Sequence, residues 1–357
     1  MRLAVLNLTS GGMSGGYRKY LTRMMPLLGR DPRISSLTVF MPETVDLALP
    51  GLDVRTWPAA DRRLSQLRRE VAVVAPDVIF IPTARYVTFR STPVVVMVRN
   101  MEPLEVPFGG NTWTEGAKNL ARAWTARRAC RRASRVIAVS DHVRQFILSR
   151  WHLDPARVAT VYHGVDSGAR SGRAVDAPRT RTLFTAGSLR PARGLEDLIE
   201  ALALVDADVR LVIAGRADPG SQGYADRLRR MCTARGLADR VRFAGHLGAA
   251  ELSEAFGTAA AFVMTSRAEA CPNTALEAMS FGAPIVSVNR PPMPEFFGEA
   301  ALYYPVANPT ALAGQLRAIL SDDALRDRLA AAALRRAADF RWDVTRDRTI
   351  EELERAR

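Results

Sequence analysis

Residues 2–8, RLAVLNL, open a pattern that runs along the whole chain: a short apolar run, a polar or glycine-rich loop, then a stretch with helical spacing. The apolar runs are short and rich in β-branched residues, so they read as strands. In the first half they fall at 2–8, 37–40, 77–82, 93–98, 135–140 and 158–162, with helical patterns near 17–29, 61–74, 115–133 and 141–150. In the second half they fall at 182–187, 209–215, 240–245, 260–266, 284–288 and 301–305. Helices are predicted there near 195–205, 223–235, 250–257, 273–281, 309–320 and 323–339. Several runs are apolar throughout, as strands covered on both faces of a parallel sheet must be. Between the two arrays, VDSGARSGRAVDAPRTR (165–181) loses periodicity and reads as a linker. The expectation is an α/β chain of two doubly wound, Rossmann-like domains facing across a cleft. The first covers 1–170 and the second 171–340; a charged helix over 341–357 could pack back on the first.

Open α/β sheets bind ligands beyond the carboxyl ends of their strands. After the first strand comes TSGGMSGGY, in which Gly11, Gly12, Gly15 and Gly16 let backbone approach a ligand ahead of a helix predicted to begin at about Tyr17. A plain turn explains the glycines equally well. After TLFTAG comes SLRPARG. Ser188 lies at the strand end, and Arg190 and Arg193 could clamp a diphosphate, since guanidinium groups pair bidentately with phosphate oxygens. Solvated loop arginines are the bland alternative. After AAFVMTS comes RAEACPNTALEAMSFGAP. Glu269 falls in the loop, Pro272 suits a helix entry, and the N–H groups of Asn273, Thr274 and Ala275 make an anion site. Glu277 follows about one turn later. The two carboxylates can accept paired hydrogen bonds from sugar hydroxyls on either side of that positive patch.

The charge is uneven. Residues 1–170 hold 25 basic against 13 acidic side chains, net +12; residues 171–357 hold 25 against 24, net +1. Genome-wide preference for arginine does not explain why one half carries the excess. A basic half beside a neutral one points to an anionic partner. The arginine runs DRRLSQLRRE (61–70) and TARRACRRASR (125–135) lie in that half. Three scattered cysteines, Cys130, Cys232 and Cys271, argue against a disulfide framework or a cysteine-ligated metal. No apolar run approaches the ~20 residues of a membrane span. The glycine loop after residues 2–8 replaces a cleavage site, so this stretch reads as a strand rather than a signal segment. The expectation is a cytoplasmic protein, able to sit peripherally at the inner membrane face.

The pair Glu269 and Glu277 with the following AMSFGAP resembles the signature of the retaining glycosyltransferases of family 4 (GT4, glycosyltransferase group 1), which have the GT-B fold. The blocks IAVSDHVRQFI (137–147), RVATVYHGVD (157–166), TAGSLRPARGLEDLIEAL (185–202), LVIAGRAD (211–218), VRFAGHLGAAELSEAF (241–256) and YYPVANPTALAGQL (303–316) resemble the same family in the same order. The resemblance implies that Glu277 binds the nucleotide ribose, Glu269 the donor sugar, and Pro272 to Ala275 the sugar and diphosphate. It implies further that Arg193 serves the diphosphate, with Arg190 in the office of an arginine whose place Ser188 takes. Gly15 and Gly16 then lie near the phosphates, and backbone at Gly245, His246 and Leu247 near the base. Where many members carry a histidine just after the strand at 93–98, this chain has Arg99 and then Asn100, on the acceptor or sugar side. His163 stands where an asparagine is common.

The implied activity is a retaining, metal-independent transfer of a hexosyl or deoxyhexosyl group from a nucleoside-diphosphate sugar to a hydroxyl. The acceptor would be a sugar, a lipid-linked molecule or a small molecule, in synthesis of polysaccharide, glycolipid or natural-product glycosides. No cofactor and no metal are expected. The basic half could meet an anionic membrane surface. Nucleic acid is not expected, because aromatics make up only 7% and do not interleave with the basic runs. A phosphorylase would need a lysine for pyridoxal phosphate, and the second half has none; a non-hydrolysing epimerase would need a more acidic, histidine-rich cleft. The alternative is a non-catalytic sugar-nucleotide-binding or anionic-surface-binding protein on the same scaffold.

Overall fold

The computed structural model describes residues 1–9, 13–58, 64–89, 91–166 and 180–357. Gly11 and Gly12, the start of the 61–70 arginine run and most of the expected linker, including the boundary at 170, lie outside the described residues. The chain divides into two compact units. The first comprises Met1–Pro103, Leu120–Gly164 and Arg341–Arg357; the second comprises Leu104–Asn119 and Val165–Phe340.

The first unit holds a seven-stranded sheet. Its strands are β1 (Arg2–Leu6), β2 (Ser36–Pro42), β3 (Asp53–Trp57), β4 (Val78–Ile81), β5 (Val94–Val98), β6 (Arg135–Ala138) and β7 (Val158–Thr160). The order is β3-β2-β1-β4-β5-β6-β7, and every pairing is parallel. Its helices are α1 (Gly15–Gly29), α2 (Ser65–Val74), the single turn α3 (Glu102–Glu105, partly in the second unit), α4 (Trp113–Arg132, in this unit from Leu120), α5 (Asp141–Trp151) and the last helix, given below. Parallel strands need crossover helices, and helices on both faces bury the strands completely: Leu3, Ala4, Val5 and Leu6 are all fully buried, as are Met24, Met25 and Leu28 of α1.

β3 is the strand that the apolar-run reading omits. DVRTW is an edge strand, and only Trp57 of its five residues is buried, so it lacks the run that betrays an interior strand. α1 starts at Gly15, two residues ahead of Tyr17, because Ser14 caps it: its Oγ accepts the Tyr17 N–H at 3.4 Å.

The second unit repeats the plan with β8 (Thr182–Ala186), β9 (Arg210–Ala214), β10 (Val241–Gly245), β11 (Ala261–Met264), β12 (Ile285–Val288) and β13 (Ala301–Tyr304). The order is β10-β9-β8-β11-β12-β13, again all parallel. The crossovers use α6 (Leu195–Leu202), α7 (Gln222–Ala234), α8 (Ala249–Thr258), α9 (Asn273–Ser280) and α10 (Met293–Phe297); α11 (Pro309–Ser321) and α12 (Asp323–Ala337) follow the last strand. Phe184, Phe256 and Phe262 meet edge to face in its core, with centroids 5.4–6.0 Å apart. In both sheets the strand order reverses once, between β1 and β4 and between β8 and β11. Those are the topological switch points, where a doubly wound sheet opens a crevice at its carboxyl edge.

The last helix, α13 (Trp342–Ala356), belongs to the first unit. It is highly charged, yet Ile350 and Leu353 are fully buried. Ion pairs join it to the unit: Arg135 Nε to Glu352 at 2.5 Å, Arg33 to Asp347 at 2.6 Å, and Arg346 to Asp31 at 3.3 Å. His163 packs between Tyr20 and Trp342, with centroids 4.8 and 6.4 Å away. Asp322 caps α12, accepting the Leu325 N–H at 2.8 Å. The three cysteines form no disulfide and are buried. Among the described residues no helix is long and apolar enough to cross a membrane.

Candidate active site

At the switch point of the second unit, β8 leads into Gly187 and a tight turn, Pro191–Arg193, that folds Arg193 back on the strand it has just left. The Arg193 N–H bonds the Arg190 carbonyl at 2.9 Å. Its Nη2 donates to the Ala186 carbonyl at 2.8 Å, and its Nη1 donates to Glu269 Oε1 at 3.2 Å. The Thr265 hydroxyl, just past β11, donates to the Arg193 carbonyl at 2.6 Å. One arginine thus joins the ends of the two strands that flank the order reversal. It is 8% exposed. Burial pushes its guanidinium pKa down, Glu269 opposes that, and Arg190 adds to it.

Two glycines make room for this arrangement. At Gly187 (φ +141°) a Cβ would lie 3.1 Å from the Arg193 guanidinium carbon. At Gly215 (φ +127°), beyond β9, a Cβ would lie 1.9 Å from the Gly187 carbonyl oxygen. The Gly215 N–H in turn donates to the Gly245 carbonyl at 2.6 Å, where β10 shifts register. Beside Gly245, His246 is exposed and Leu247 buried; Ser188 and Arg190 are half-buried near the end of β8.

The Cys271-Pro272-Asn273 corner starts α9 without a side-chain cap. Of the three amides expected to receive an anion, two are engaged locally: Asn273 N–H with the Cys271 carbonyl and Ala275 N–H with the Pro272 carbonyl, each at 2.9 Å. A tight helix entry bends these groups back on its own carbonyls. Thr274 N–H has no such bond among the described residues. Glu277 lies one turn further on, half-buried.

Gly15, Gly16, Arg99 and Asn100 belong to the first unit, the other expected residues to the second. Gly15 and Gly16 are the first two residues of α1. Arg99 follows β5, its guanidinium carbon 3.7 Å from the Tyr17 ring centroid. Burial pushes its pKa down to about 10, so it stays cationic at pH 7. Asn100 is exposed, and its Oδ1 accepts the Glu102 N–H at 3.1 Å. Sequence reasoning passed over Tyr17, which carries the Arg99 guanidinium, and Asn7 and Thr83, which follow the neighbouring strands β1 and β4. The available signal was a polar residue inside an apolar run, as in RLAVLNL.

The description "Glycosyl transferases group 1" matches residues 174–336, and "Glycosyltransferase Family 4" matches residues 36–168. Curated relatives named D-inositol 3-phosphate glycosyltransferase include one from Kineococcus radiotolerans, 28% identical over 63% of this chain and 58% of its own. Another, from Mycolicibacterium vanbaalenii, is 29% identical over 60% and 51%. These alignments thus span little more than half of the relatives' length. Among solved structures, Anabaena Alr3699/HepE in complex with UDP is similar with a TM-score of 0.76 at 20% identity, over 99% of this chain and 100% of that one. Sucrose-phosphate synthase from Thermosynechococcus elongatus is similar with a TM-score of 0.78 at 17% identity, over 98% of each chain.

Proposed function

The chain belongs to the family 4 glycosyltransferases of group 1, with the GT-B fold, and on that premise we propose that it moves a hexosyl or deoxyhexosyl group from a nucleoside-diphosphate sugar to an acceptor hydroxyl, with retention and without a metal. The observation that carries this reading is Arg193, a largely buried cation tied to the end of β8 and set beside the Glu269 carboxylate at 3.2 Å. Arg190 and Arg193 supply the positive charge that a departing diphosphate needs. Glu269 accepts hydrogen bonds from donor-sugar hydroxyls, and Glu277 from the ribose. Ser188 and Thr274 N–H complete the phosphate side, with Pro272, Asn273 and Ala275 shaping the corner that presents Thr274, and Gly245 to Leu247 form the base side.

In the transfer, the bond from the anomeric carbon to the diphosphate oxygen breaks and its electron pair leaves with the diphosphate. The acceptor oxygen forms its bond to that carbon on the same face, and the acceptor proton passes to the departing phosphate oxygen. Binding both substrates converts a bimolecular step into one of high effective molarity, worth ~7–11 kcal/mol.

UDP is the first nucleotide to test, since the Anabaena protein was crystallised with UDP and with UDP-glucose. The relatives' acceptor-bearing name makes phosphorylated polyols reasonable acceptors. Thermal unfolding with UDP, GDP, ADP and dTDP, each with EDTA, decides the donor side. One nucleotide should stabilise the chain by about 2.7 kcal/mol at 100 times its Kd, and Glu277→Ala should abolish the shift. No stabilisation by any of the four sinks the reading.

A second reading, docking at an anionic membrane, is favoured by α4. Leu120 is 49% and Trp124 62% exposed, on the same helix as the exposed Arg122, Arg128, Arg131 and Arg132. Exposed tryptophan among arginines suits an interfacial surface.

A further inference from the structure

At the switch point of the first sheet, three buried polar atoms have no hydrogen-bond partner among the described residues: Asn7 Nδ2 after β1, Thr83 Oγ1 after β4, and Arg99 Nε after β5. β1, β4 and β5 are neighbours in the sheet, so the three residues leave it at one edge. Asn7 is 0% and Thr83 9% exposed. The orientation of the Asn7 amide is fixed by its surroundings. Its Oδ1 accepts both the Thr9 N–H at 3.0 Å and the Tyr17 hydroxyl at 3.3 Å. The NH2 must therefore face the other way, as a donor with nothing to receive it. The same Tyr17 carries the Arg99 guanidinium on its ring at 3.7 Å, so Tyr17 holds Asn7 and Arg99 in one assembly.

Among the described residues Arg99 has no carboxylate partner. The groups that act on its charge are Tyr17 and Tyr20, phenols that burial keeps neutral. An orphaned buried donor destabilises the fold, and a partly buried cation without a counter-ion adds to that. An amide donor, a hydroxyl that can donate, and a positive charge with no carboxylate partner among the described residues describe the complement of an anionic oxygen. A neutral hydroxyl would answer Asn7 and Thr83 but leave the guanidinium uncompensated.

We propose that this edge of the first unit binds an oxyanion, the phosphate or carboxylate of an acidic sugar or polyol, with Arg99 and Asn7 Nδ2 as its donors and the Thr83 hydroxyl beside them. Resting on the transferase reading above, this makes the acceptor an acidic molecule and Arg99 the residue that selects it.

The test is titration calorimetry of the full chain, with excess UDP present to occupy the nucleotide side, using glucose 6-phosphate, glucuronate and glucose as probes. At least one charged probe should bind roughly tenfold or more tighter than glucose, as a charge-assisted hydrogen bond allows. Arg99→Gln should erase that preference, and Arg99→Lys should restore part of it. A tighter phosphate arm assigns a phosphate monoester; a tighter carboxylate arm assigns a uronate. Arg99→Gln should fold with unchanged or higher thermal stability, because it removes an uncompensated charge. Equal binding of charged and neutral probes by the parent chain, binding of neither charged probe, or a preference that survives Arg99→Gln overturns the proposal. The UDP-induced thermal shift, read in the same samples, reports separately on the transferase reading: a shift present while charge preference is missing sinks the oxyanion site alone.

Discussion

A single methyl group tests the strand ends of the second unit. Gly215→Ala would set a Cβ 1.9 Å from the Gly187 carbonyl oxygen at a backbone φ of +127°. No side chain can move aside there, so the β8 and β9 exits must separate. The expected cost exceeds ~3 kcal/mol, seen as a lower urea midpoint. Gly187→Ala meets the Arg193 guanidinium instead, at 3.1 Å. It should cost less stability but displace Arg193 from Ala186 and Glu269, so the nucleotide-induced thermal shift should shrink. An undiminished shift would separate Arg193 from the nucleotide. Sequence reading reached Arg193 and Glu269 as individual residues because each follows a recognisable strand. Their contact was not legible, since 76 positions separate them and only the β8–β11 adjacency brings them together. Asn7 was less legible still: an asparagine ending an apolar run looks like an ordinary turn former, and its burial depends on Tyr17.

At the scale of elements, interior strands were readable and β3 was not, because only strands covered on both faces show as apolar runs. α13 was readable as a charged helix that packs back on the first domain, but its individual partner residues were not, since they lie on distant parts of the chain. Glu352 is 2% exposed and accepts from Arg135 at 2.5 Å. Arg135→Ala leaves that carboxylate buried, with the solvent-facing Arg355 as its remaining ion-pair partner among the described residues, and should cost about 3 kcal/mol. Arg135→Met with Glu352→Leu should recover most of that loss. A double variant as unstable as the single one would show that the pair itself carries the stability. The Asp31 pair gives a pH dependence. Hydrogen bonding from Arg33 holds the Asp31 carboxyl down at about 2, against an ordinary 3.8. A depressed acid stabilises the fold above its unfolded pKa, and the contribution disappears as pH falls through the folded one. Acid melts should therefore show the parent chain losing about 2 kcal/mol more than Asp31→Asn between pH 4 and pH 2. Parallel acid profiles for the two chains would assign the acid sensitivity elsewhere.

At the scale of the whole molecule, the charge is the feature that fold and donor chemistry leave unexplained. Residues 1–170 carry net +12 and residues 171–357 net +1, while the site arginines Arg190 and Arg193 lie in the nearly neutral part. Donor binding therefore does not need the excess. On α4 the buried positions include Ala126, Ala129 and Cys130, so the opposite face, with Leu120, Trp124, Arg128, Arg131 and Arg132, is turned to solvent. Arg128 lies 4.6 Å from the Tyr86 ring centroid and 5.5 Å from that of Trp124. An anionic bilayer would gain on the order of 1 kcal/mol per arginine near its surface, while tryptophan settles at the headgroup level. The chain should therefore float with vesicles containing phosphatidylserine or phosphatidylglycerol and not with neutral phosphatidylcholine vesicles. Binding should weaken steeply between 50 and 500 mM salt, because the Debye length shortens over that range. Trp124→Ala should weaken binding without changing its salt dependence, whereas Arg128→Gln with Arg131→Gln should flatten that dependence. Charge and aromatic contact then act as separable contributions. Equal binding to charged and neutral vesicles, or salt-sensitive binding to DNA with none to either vesicle, would remove the membrane from the account and leave the basic half to a different polyanion.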